Sequence, residues 1–341
     1  MPNLRVLLIS DGRPGHFNLS EGIVAAMARR RPVLIERLEV KRRSFVSGRL
    51  VAALLAAGVP ARTLLWLAHG LDPDAVPAVD SIVSAGAETM PANVCLARML
   101  SVPNLFYGSL RAFRPSWFAL VLTSYSAQAR HPHPLMTLKP SRLDPDTLPV
   151  LPARIGADCP PQRAGLLIGG DGGGTRFNEA DWNTLLELLS ATHAAWGTRW
   201  IVSNSRRTPD AVGDRLAALV STDGAVERFI DVRSAGTGTL GELLAASELV
   251  AVTADSSSML SEAVWSRRPV LALAPAVHEM TPMEAAYRAW LEGDARCRTL
   301  PLATATPARM IEAAAGIVPL PGNPLDDLAS LLAAKLPGTC A

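Results

Sequence analysis

Several residue types and patterns that mark particular protein classes are scarce or missing in this sequence. The chain has four cysteines and no CxxC pair, so it has the spacing of neither a zinc site nor a disulfide framework. No GK[ST] tripeptide follows a glycine loop, which excludes a P-loop nucleotidase. No run of about 18 apolar residues is available to span a bilayer, and the apolar run before Asp11 is too short for a signal peptide. We therefore expect a cytoplasmic protein without a metal site.

The composition is otherwise typical of a globular protein. Of 341 residues, 49% are hydrophobic and 19% are charged, and the 25 glycines and 27 prolines show no repeat period. These values exclude the collagen-like and disordered classes. At about 100–200 residues per domain, the length predicts two domains, each large enough to bury a core.

Short apolar runs alternate with longer amphipathic stretches, which indicates strands alternating with helices in parallel sheets. The predicted strands are Arg5–Ser10, Val33–Val40, Ser81–Ala85, Leu105–Gly108, Phe118–Thr123, Gly165–Gly169, Trp200–Ser203, Glu227–Ile230, Leu249–Thr253 and Val270–Leu273. Six prolines in Pro140–Gln162 predict a linker between domains 1–150 and 151–341, and Leu325–Leu336 predicts a closing helix. The predicted fold class is α/β, with two Rossmann-like domains facing across a cleft and ligands at the carboxyl ends of the strands.

Charge is distributed unevenly along the chain. Residues 1–150 carry a net charge of +7 and the remainder carries −5. A basic first half favours an anionic partner, and we expect a membrane surface rather than nucleic acid. Lys41, Arg42 and Arg43 precede the apolar stretch Arg49–Leu71, a pattern typical of peripheral contact with anionic lipid. The alternative is that these helices pack on the first sheet and leave the basic side chains in solvent.

The first loop that follows a predicted strand runs from Asp11 to His16. Its glycines, Gly12 and Gly15, allow a close approach of the main chain to a ligand. Asp11 and His16 are its acid/base pair, so we expect one of them to be a catalytic base. An ordinary strand–helix turn capped by an aspartate would look the same.

The second loop has five glycines in the six residues 169–174 and continues to Thr175. We expect its main-chain N–H groups to lie at a helix N-terminus, where they would bind a diphosphate; a hinge loop is the alternative. The loop is not GxGxxG, and no acidic residue ends Trp200–Ser203, so a dinucleotide site is disfavoured. After that strand, Arg206 and Arg207 supply positive charge for a leaving phosphate, or lie on the surface.

The third loop, Thr253–Glu262, is rich in serine. Asp255 or Ser256 is suited to cap the following helix, and the serine hydroxyls are suited to bind phosphate. Glu262 lies one turn further on, where it would accept hydrogen bonds from a ribose. A simple helix cap is the alternative.

Three segments carry a resemblance to a known family. Ser205–Pro209 (SRRTP), Val252–Ala263 (VTADSSSMLSEA) and Pro269–Leu271, with Asp11–His16 at the start, resemble bacterial relatives of the plant "elongated mitochondria" fission factor. That family is similar to GT-B glycosyltransferases. The third loop resembles the donor motif of the lipid II-forming N-acetylglucosaminyltransferase, which implies that Glu262 holds the donor ribose. The chain departs from the family where it usually has Asn-Pro-Tyr: residues 235–240 read Ala-Gly-Thr-Gly-Thr-Leu. Its second loop is also richer in glycine.

These observations predict a metal-independent glycosyltransferase that uses a nucleotide-sugar donor of UDP type and a hydroxyl acceptor that is lipid-linked or envelope-related, at the inner face of the membrane. The expected bases are Asp11 and His16. The residues expected to bind the donor are Gly12, Gly15, Gly170, Asp171, Gly172, Gly173, Gly174, Thr175, Ser205, Arg206, Arg207, Asp255, Ser256, Ser257, Ser258, Met259, Glu262 and Glu279. Two alternatives stay open: an epimerase or hydrolase with Asp171, Glu279 or Glu284 near the sugar, and a non-catalytic recruitment scaffold.

Overall fold

A computed structural model describes residues 3–129, 134–151, 155–222, 224–235 and 239–340. The chain divides into two compact units. The first comprises Met1–Arg142 together with Gly322–Ala341, and the second comprises Leu143–Pro321.

The first unit contains a parallel sheet flanked by helices. Its elements up to residue 142 are β1 (Leu4–Ser10), α1 (Pro14–Ala28), β2 (Val33–Glu39), α2 (Gly48–Ala56), α3 (Ala61–His69), β3 (Ser81–Ala85), α4 (Met90–Leu100), β4 (Asn104–Tyr107), β5 (Leu120–Thr123) and β6 (Pro134–Met136). Within the described ranges, the sheet has six strands in the order β2-β1-β3-β4-β5-β6. The chain leaves β1 first toward β2 and then toward β3, so the strand order reverses there. Ligands of open α/β sheets bind at such a reversal.

The second unit repeats this plan. Its elements are β7 (Arg163–Leu167), β8 (Thr175–Arg176), α5 (Glu179–Trp196), β9 (Arg199–Ser203), α6 (Asp210–Thr222), β10 (Val226–Ile230), α7 (Val232–Ala235), α8 (Leu240–Ala246), β11 (Leu249–Thr253), α9 (Ser257–Trp265), β12 (Val270–Ala274), β13 (Val277–His278), α10 (Pro282–Gly293), β14 (Arg298–Pro301) and α11 (Pro307–Ala315). In the part of the chain that the structure describes, the main sheet is parallel with six strands, in the order β10-β9-β7-β11-β12-β14. The strand order reverses between β7 and β11.

Each unit has its own hydrophobic core. Leu7, Ile82 and Val121 of the first sheet pack with Leu55 of α2 and Leu65 of α3. In the second unit the core lies between the main sheet and helices α5, α6 and α11, and it includes the buried side chains of Leu166, Trp182, Trp200, Leu271 and Met310. The central strands β3, β11 and β12 are buried along their whole length, which explains their continuous apolar sequences.

The predicted fold class is confirmed: the structure has mixed α/β organisation with two parallel sheets, the arrangement of the GT-B class. Each of the ten predicted strands is present within two residues of its predicted limits. The prediction omitted β6 and β14, which are edge strands, and the two-residue strands β8 and β13.

The division into units differs from the predicted 1–150 and 151–341. The chain passes from one unit to the other at Arg142, and the segment after it is held by the second unit, where Trp265 donates a hydrogen bond to the carbonyl oxygen of Leu143. The closing helices α12 (Pro324–Lys335) and α13 (Pro337–Cys340) return to the first unit, where Asp326 pairs with Arg29 of α1. None of the helices in the described ranges is both long and apolar enough to cross a bilayer.

Candidate functional site

Four loops meet at one edge of the second sheet. They follow β9, β7, β11 and β12, which lie side by side, so their carboxyl ends reach the same edge. The glycine loop after β7 and the serine loop after β11 flank the position where the strand order reverses. This is where a ligand is expected in an open parallel sheet.

The glycine loop does not lead directly into a helix. Its second half turns back on itself, with the N–H of Gly172 bonded to the carbonyl oxygen of Thr175 and the N–H of Thr175 bonded to that of Gly172. The next helix, α5, begins only at Glu179, and a capping box of Asn178 and Asp181 satisfies its N-terminus. The prediction that this loop presents its N–H groups at a helix N-terminus is therefore wrong. Whether the loop binds phosphate stays a prediction.

Glycine is required in this loop because other main chain and side chains come very close. A Cβ atom on Gly169 would overlap the carboxylate of Asp255, and one on Gly170 would overlap the carbonyl oxygen of Arg207. Gly174, in the left-handed region at φ 97°, would place its Cβ 2.7 Å from the carbonyl oxygen of Glu279. The glycines thus let three neighbouring loops close around this one.

Asp255 and Arg207 join the loops after β11 and β9. The side chain of Asp255 is 0% exposed, and its Oδ2 atom lies 2.6 Å from Nη2 of Arg207, which is 40% exposed. Thr253 donates a hydrogen bond of 2.6 Å to Asp255 Oδ1 and accepts one of 2.7 Å from the N–H of Gly169. Arg207, predicted to face a leaving phosphate, is instead committed largely to neutralising a buried carboxylate.

Arg206 differs from its neighbour. Its side chain is exposed and makes no ion pair or side-chain hydrogen bond within the described part of the chain. Ser205, just before it, donates to the carbonyl oxygen of Gly169 and accepts the N–H of Arg207, so the loop main chain is fixed while the Arg206 guanidinium remains available.

Helix α9 begins at this edge. Ser256 caps it by accepting a hydrogen bond from the N–H of Met259, which settles which of the two predicted residues is the cap. The N–H groups in the first turn of a helix have no intrahelical acceptor, so an anion is favoured there. Ser258 is exposed, and Ser257 and Glu262 are partly buried.

One carboxylate, Asp171, belongs to the glycine loop, and a second, Glu279, lies next to it. Asp171 is exposed and accepts the N–H of Phe177 at 2.9 Å. Glu279 is also exposed, and its main chain bonds to the carbonyl oxygen of Gly174 through a short antiparallel pairing of β8 with β13. Glu284, the third carboxylate considered for a sugar site, is paired with Arg288 at 3.1 Å.

The structure adds two residues that the sequence did not reveal. Arg288 of α10 has 6% of its side chain exposed and donates from Nη2 to the carbonyl oxygen of Ala254 at 2.7 Å, while Nη1 is buried with no partner among the described residues. His278 accepts from or donates to Thr175, its Nε2 is likewise unpartnered, and burial, followed by the charge of Arg288, lowers its pKa. In the sequence, the only sign of the role of Arg288 is that it falls on the apolar face of the amphipathic helix α10.

In the first unit, Asp11 and His16 contact each other at the strand-order reversal. Asp11 Oδ2 lies 2.8 Å from His16 Nδ1, and the two side chains are 3% and 32% exposed. Gly86, which follows β3 at φ 89°, packs against the imidazole so closely that a Cβ would overlap Nδ1. Gly12, at φ 75°, approaches Glu39, whereas Gly15 has open space around it. Asp11 thus fixes the ring and leaves Nε2 for another proton acceptor or donor.

Two of the three basic side chains in Lys41–Arg43 make contacts within the first unit. Arg42 forms two hydrogen bonds with Glu88, at 2.8 and 2.9 Å, and donates to the carbonyl oxygen of Val46. Arg43 stacks over the ring of Trp66. Helices α2 and α3 bury their apolar faces in the core, as the alternative to membrane contact requires. Arg42 is thus engaged in contacts within the unit, and contact of this cluster with a membrane stays a prediction.

No group of three or more His, Cys, Asp and Glu side chains in the described ranges is placed to hold a metal ion. The Asp-Pro-Asp tripeptides at 72–74 and 144–146 form ion pairs with Arg62 and Arg267. Independence from metal stays a prediction. Gly236–Gly238, in the segment that departs from the family pattern, lie outside the described residues.

The family follows from the sequence match. The model of the family described as "Mitochondrial fission ELM1" matches residues 14–306, most of the chain. This chain belongs to the mitochondrial fission ELM1 family. The predicted resemblance is thus confirmed. The matched residues of this ELM1 family member belong to both units. No curated protein matches the chain in sequence.

Solved structures show the fold of this ELM1 family member. It is similar to the UDP-GlcNAc 2-epimerase from Neisseria meningitidis, with 11% identity and a TM-score of 0.53 over 98% of this chain and 100% of that one. A putative UDP-N-acetylglucosamine 2-epimerase from Listeria monocytogenes gives 11% and 0.52, over 98% and 96%. The glycotransferase of kitacinnamycin gives 14% and 0.51, over 98% and 96%. At such identities the likeness concerns the fold alone.

Proposed function

We propose that this chain is a glycosyltransferase that moves a sugar from a nucleotide-sugar donor to a hydroxyl acceptor, with the donor bound by the second unit. The observation that carries the proposal is the group of four loops at the edge of the second sheet. Gly169 and Gly170 let neighbouring loops approach closely there, and Ser256 caps helix α9. Arg206 is an exposed cation without an ion-pair partner among the residues that the structure describes.

Positive charge at this edge is suited to a departing diphosphate. The side chain of Arg206 is exposed to solvent, and the Nη1 atom of Arg288 is a buried donor without a partner in the described part of the chain. Charge-assisted hydrogen bonds from guanidinium groups stabilise phosphate oxygens, and they strengthen as the leaving group gains charge. These groups would perform the electrostatic role of a metal ion, so we propose that the reaction is independent of metal.

The rest of the donor would lie along helix α9. The first turn of α9, from Ser257 to Met259, would hold phosphate oxygens through main-chain N–H groups, and Glu262 would accept from the ribose hydroxyls. Gly172, Gly173 and Thr175 would border the phosphates from the glycine loop. A UDP-type donor is favoured because two of the solved structures with this fold are named as UDP-GlcNAc epimerases.

The first unit would supply the base. Asp11 is almost fully buried and contacts Nδ1 of His16, whereas the imidazole is partly exposed. His16 Nε2 would take the proton of the acceptor hydroxyl while Asp11 orients the ring and stabilises its positive charge. The acceptor oxygen would form its bond to the sugar carbon as the bond from that carbon to the phosphate oxygen breaks, and the nucleoside diphosphate would leave with the electron pair. A single displacement inverts the configuration.

A second candidate, a nucleotide-sugar epimerase or hydrolase, is favoured by Asp171 and Glu279, two exposed carboxylates at the glycine loop. Incubation with a UDP-sugar labelled in the sugar separates the candidates. Transfer to an added hydroxyl acceptor supports the transferase. Release of free sugar supports a hydrolase, and a changed sugar on intact nucleotide supports an epimerase. Failure to bind any nucleotide would favour a recruitment scaffold.

A further inference from the structure

The first unit contains a cavity of about 570 Å³ at the carboxyl edge of its sheet. The side chains that matter for its chemistry are Arg42, Arg49, Glu88, Met90, Arg111 and Phe113. Its volume falls within the range of small-molecule sites, about 300–1,000 Å³. Glu88 belongs to the same loop as Gly86, the residue that packs against His16.

The cavity has a net positive charge. Arg42 and Glu88 neutralise each other through two hydrogen bonds, and this contact lowers the pKa of Glu88. Arg49 and Arg111 are exposed and form no ion pair within the ranges that the structure describes. Two guanidinium groups without carboxylate partners in one cavity are suited to bind a phosphate.

Arg111 is held in an uncommon backbone conformation. Its φ is 51°, in the left-handed region that favours glycine. A glycine at this position would adopt the same conformation without strain. Backbone strain of this kind occurs often at functional sites.

Another wall of the cavity is apolar and formed by buried side chains. Phe113 is buried, contacts Trp117 edge-on with ring centroids 5.8 Å apart, and lies beside Gly48 at the start of α2. Met90 is buried at the start of α4. A ligand that fills this cavity would therefore place an anionic group at the arginines and an apolar group against Phe113.

We propose that this cavity binds the phosphate of a phosphorylated acceptor, with Arg49 and Arg111 as the phosphate ligands and Phe113 against the adjoining apolar part. The acceptor assignment rests on the proposed function, because only a transferase needs an acceptor. The neighbouring loop would bring the acceptor hydroxyl toward His16. A lipid phosphate and a soluble organic phosphate share this chemistry.

Calorimetric titration of the full chain tests the proposal, with hexyl phosphate, inorganic phosphate and hexanol as probes. Hexyl phosphate is expected to bind about 10-fold tighter than inorganic phosphate through the apolar wall, and hexanol is expected not to bind. Arg49→Gln and Arg111→Gln should each weaken hexyl phosphate binding by about 10-fold or more. Arg309→Gln removes an exposed arginine from the second unit and serves as a control of equal charge.

Arg111→Gly separates binding from folding. It removes the guanidinium and suits the positive φ, so the variant should unfold at the same or a higher temperature while its phosphate affinity falls as in Arg111→Gln. Vesicles with and without phosphatidic acid identify the source: sedimentation that depends on Arg49 and Arg111 indicates a lipid phosphate, and binding of monomeric hexyl phosphate alone indicates a soluble one.

The proposal is overturned if hexyl phosphate does not bind, or if Arg49→Gln and Arg111→Gln bind it as Arg309→Gln does. UDP binding, measured in the same samples, distinguishes this outcome from failure of the proposed function. Loss of hexyl phosphate binding with intact UDP binding removes the phosphate site alone. If hexyl phosphate binds through Arg49 and Arg111 but UDP does not bind, the phosphate site is supported and the proposed transferase function is contradicted.

Discussion

Arg207 and Asp255, 48 positions apart in sequence, form an ion pair of 2.6 Å that joins two loops of the second unit. The carboxylate has no exposure to solvent, whereas the guanidinium is partly exposed. The pair is thus unequal: without Arg207, a negative charge would remain buried, but without Asp255 the arginine could turn to water.

This inequality predicts different costs for the two single substitutions. Arg207→Ala should lower the free energy of unfolding by about 3 kcal/mol, since an uncompensated buried charge costs about 3–5 kcal/mol. Asp255→Asn should cost less, and adding it to Arg207→Ala should recover part of the loss. Urea unfolding measures these values. Arg206→Ala is the matched control, expected within about 0.5 kcal/mol of the parent. Equal costs for Arg206→Ala and Arg207→Ala would contradict the assignment.

Arg206 contributes little to stability, but we expect it to contribute to ligand binding. Arg206→Ala should weaken UDP by about 10- to 150-fold and leave uridine unchanged, because a charge-assisted hydrogen bond contributes about 1.5–3 kcal/mol. Titration calorimetry with both ligands measures the ratio. An equal loss for uridine and UDP would remove Arg206 from the phosphate site.

The glycine loop gives a third prediction. Gly169→Ala should lower the free energy of unfolding by about 1–3 kcal/mol and weaken UDP binding, because the added Cβ overlaps Asp255. Gly322 has open space at its Cβ position and an ordinary φ and lies outside the proposed site, so Gly322→Ala is the control and should change neither quantity. Thermal unfolding with and without UDP measures both effects, and tolerance of Gly169→Ala would show that the loops are not so closely packed.

His69 predicts a loss of stability in acid. Both ring nitrogens are buried, and this burial, followed by the charge of Arg42, lowers the pKa of His69 to about 4. The unfolded chain binds this proton below about pH 6.5, so stability should fall between about pH 6.5 and 4, by at most about 3 kcal/mol.

His69→Leu removes the titrating group and keeps an apolar side chain in its place. The free energy of unfolding should then depend less steeply on pH across that interval than it does in the parent. Urea unfolding at pH 7 and pH 4.5 measures the difference, and an identical pH dependence would mean that folding does not lower the pKa of His69.

The base has its own prediction. His16→Gln should lower kcat for transfer by about 100- to 10,000-fold with little change in donor KM, because general base catalysis contributes about this much. Asp11→Asn should have a smaller effect in the same direction, since it acts through the ring. Steady-state kinetics with the labelled donor measures both. Full activity of His16→Gln would exclude it as the base.

The sequence predicted the strands best where burial decides the pattern. Ser81–Ala85 and Leu249–Thr253 were located without error because each is a buried apolar run between turn residues. Arg298–Pro301 and Pro134–Met136 were missed because both are edge strands that carry a proline, which weakens any strand pattern.

The candidate site shows the same contrast between local and distant relationships. Asp11 and His16 lie five residues apart, where the chain passes from β1 into α1, so their pairing was predictable. The pairing of Arg207 with Asp255, and the approach of buried Arg288 to the serine loop, depend on strand order, which no local pattern encodes. The helix expected directly after the glycine loop begins later because residues 172–175 form a turn first.

We expect the loops of the second unit to bind a nucleoside diphosphate without a metal ion. Calorimetric titration of the full chain with UDP, in buffer containing EDTA and again with added magnesium, tests it most directly. We expect the same affinity for UDP in both buffers and a loss of about 10-fold or more in Arg206→Ala. No binding in either buffer, or binding that appears only with magnesium, would contradict it.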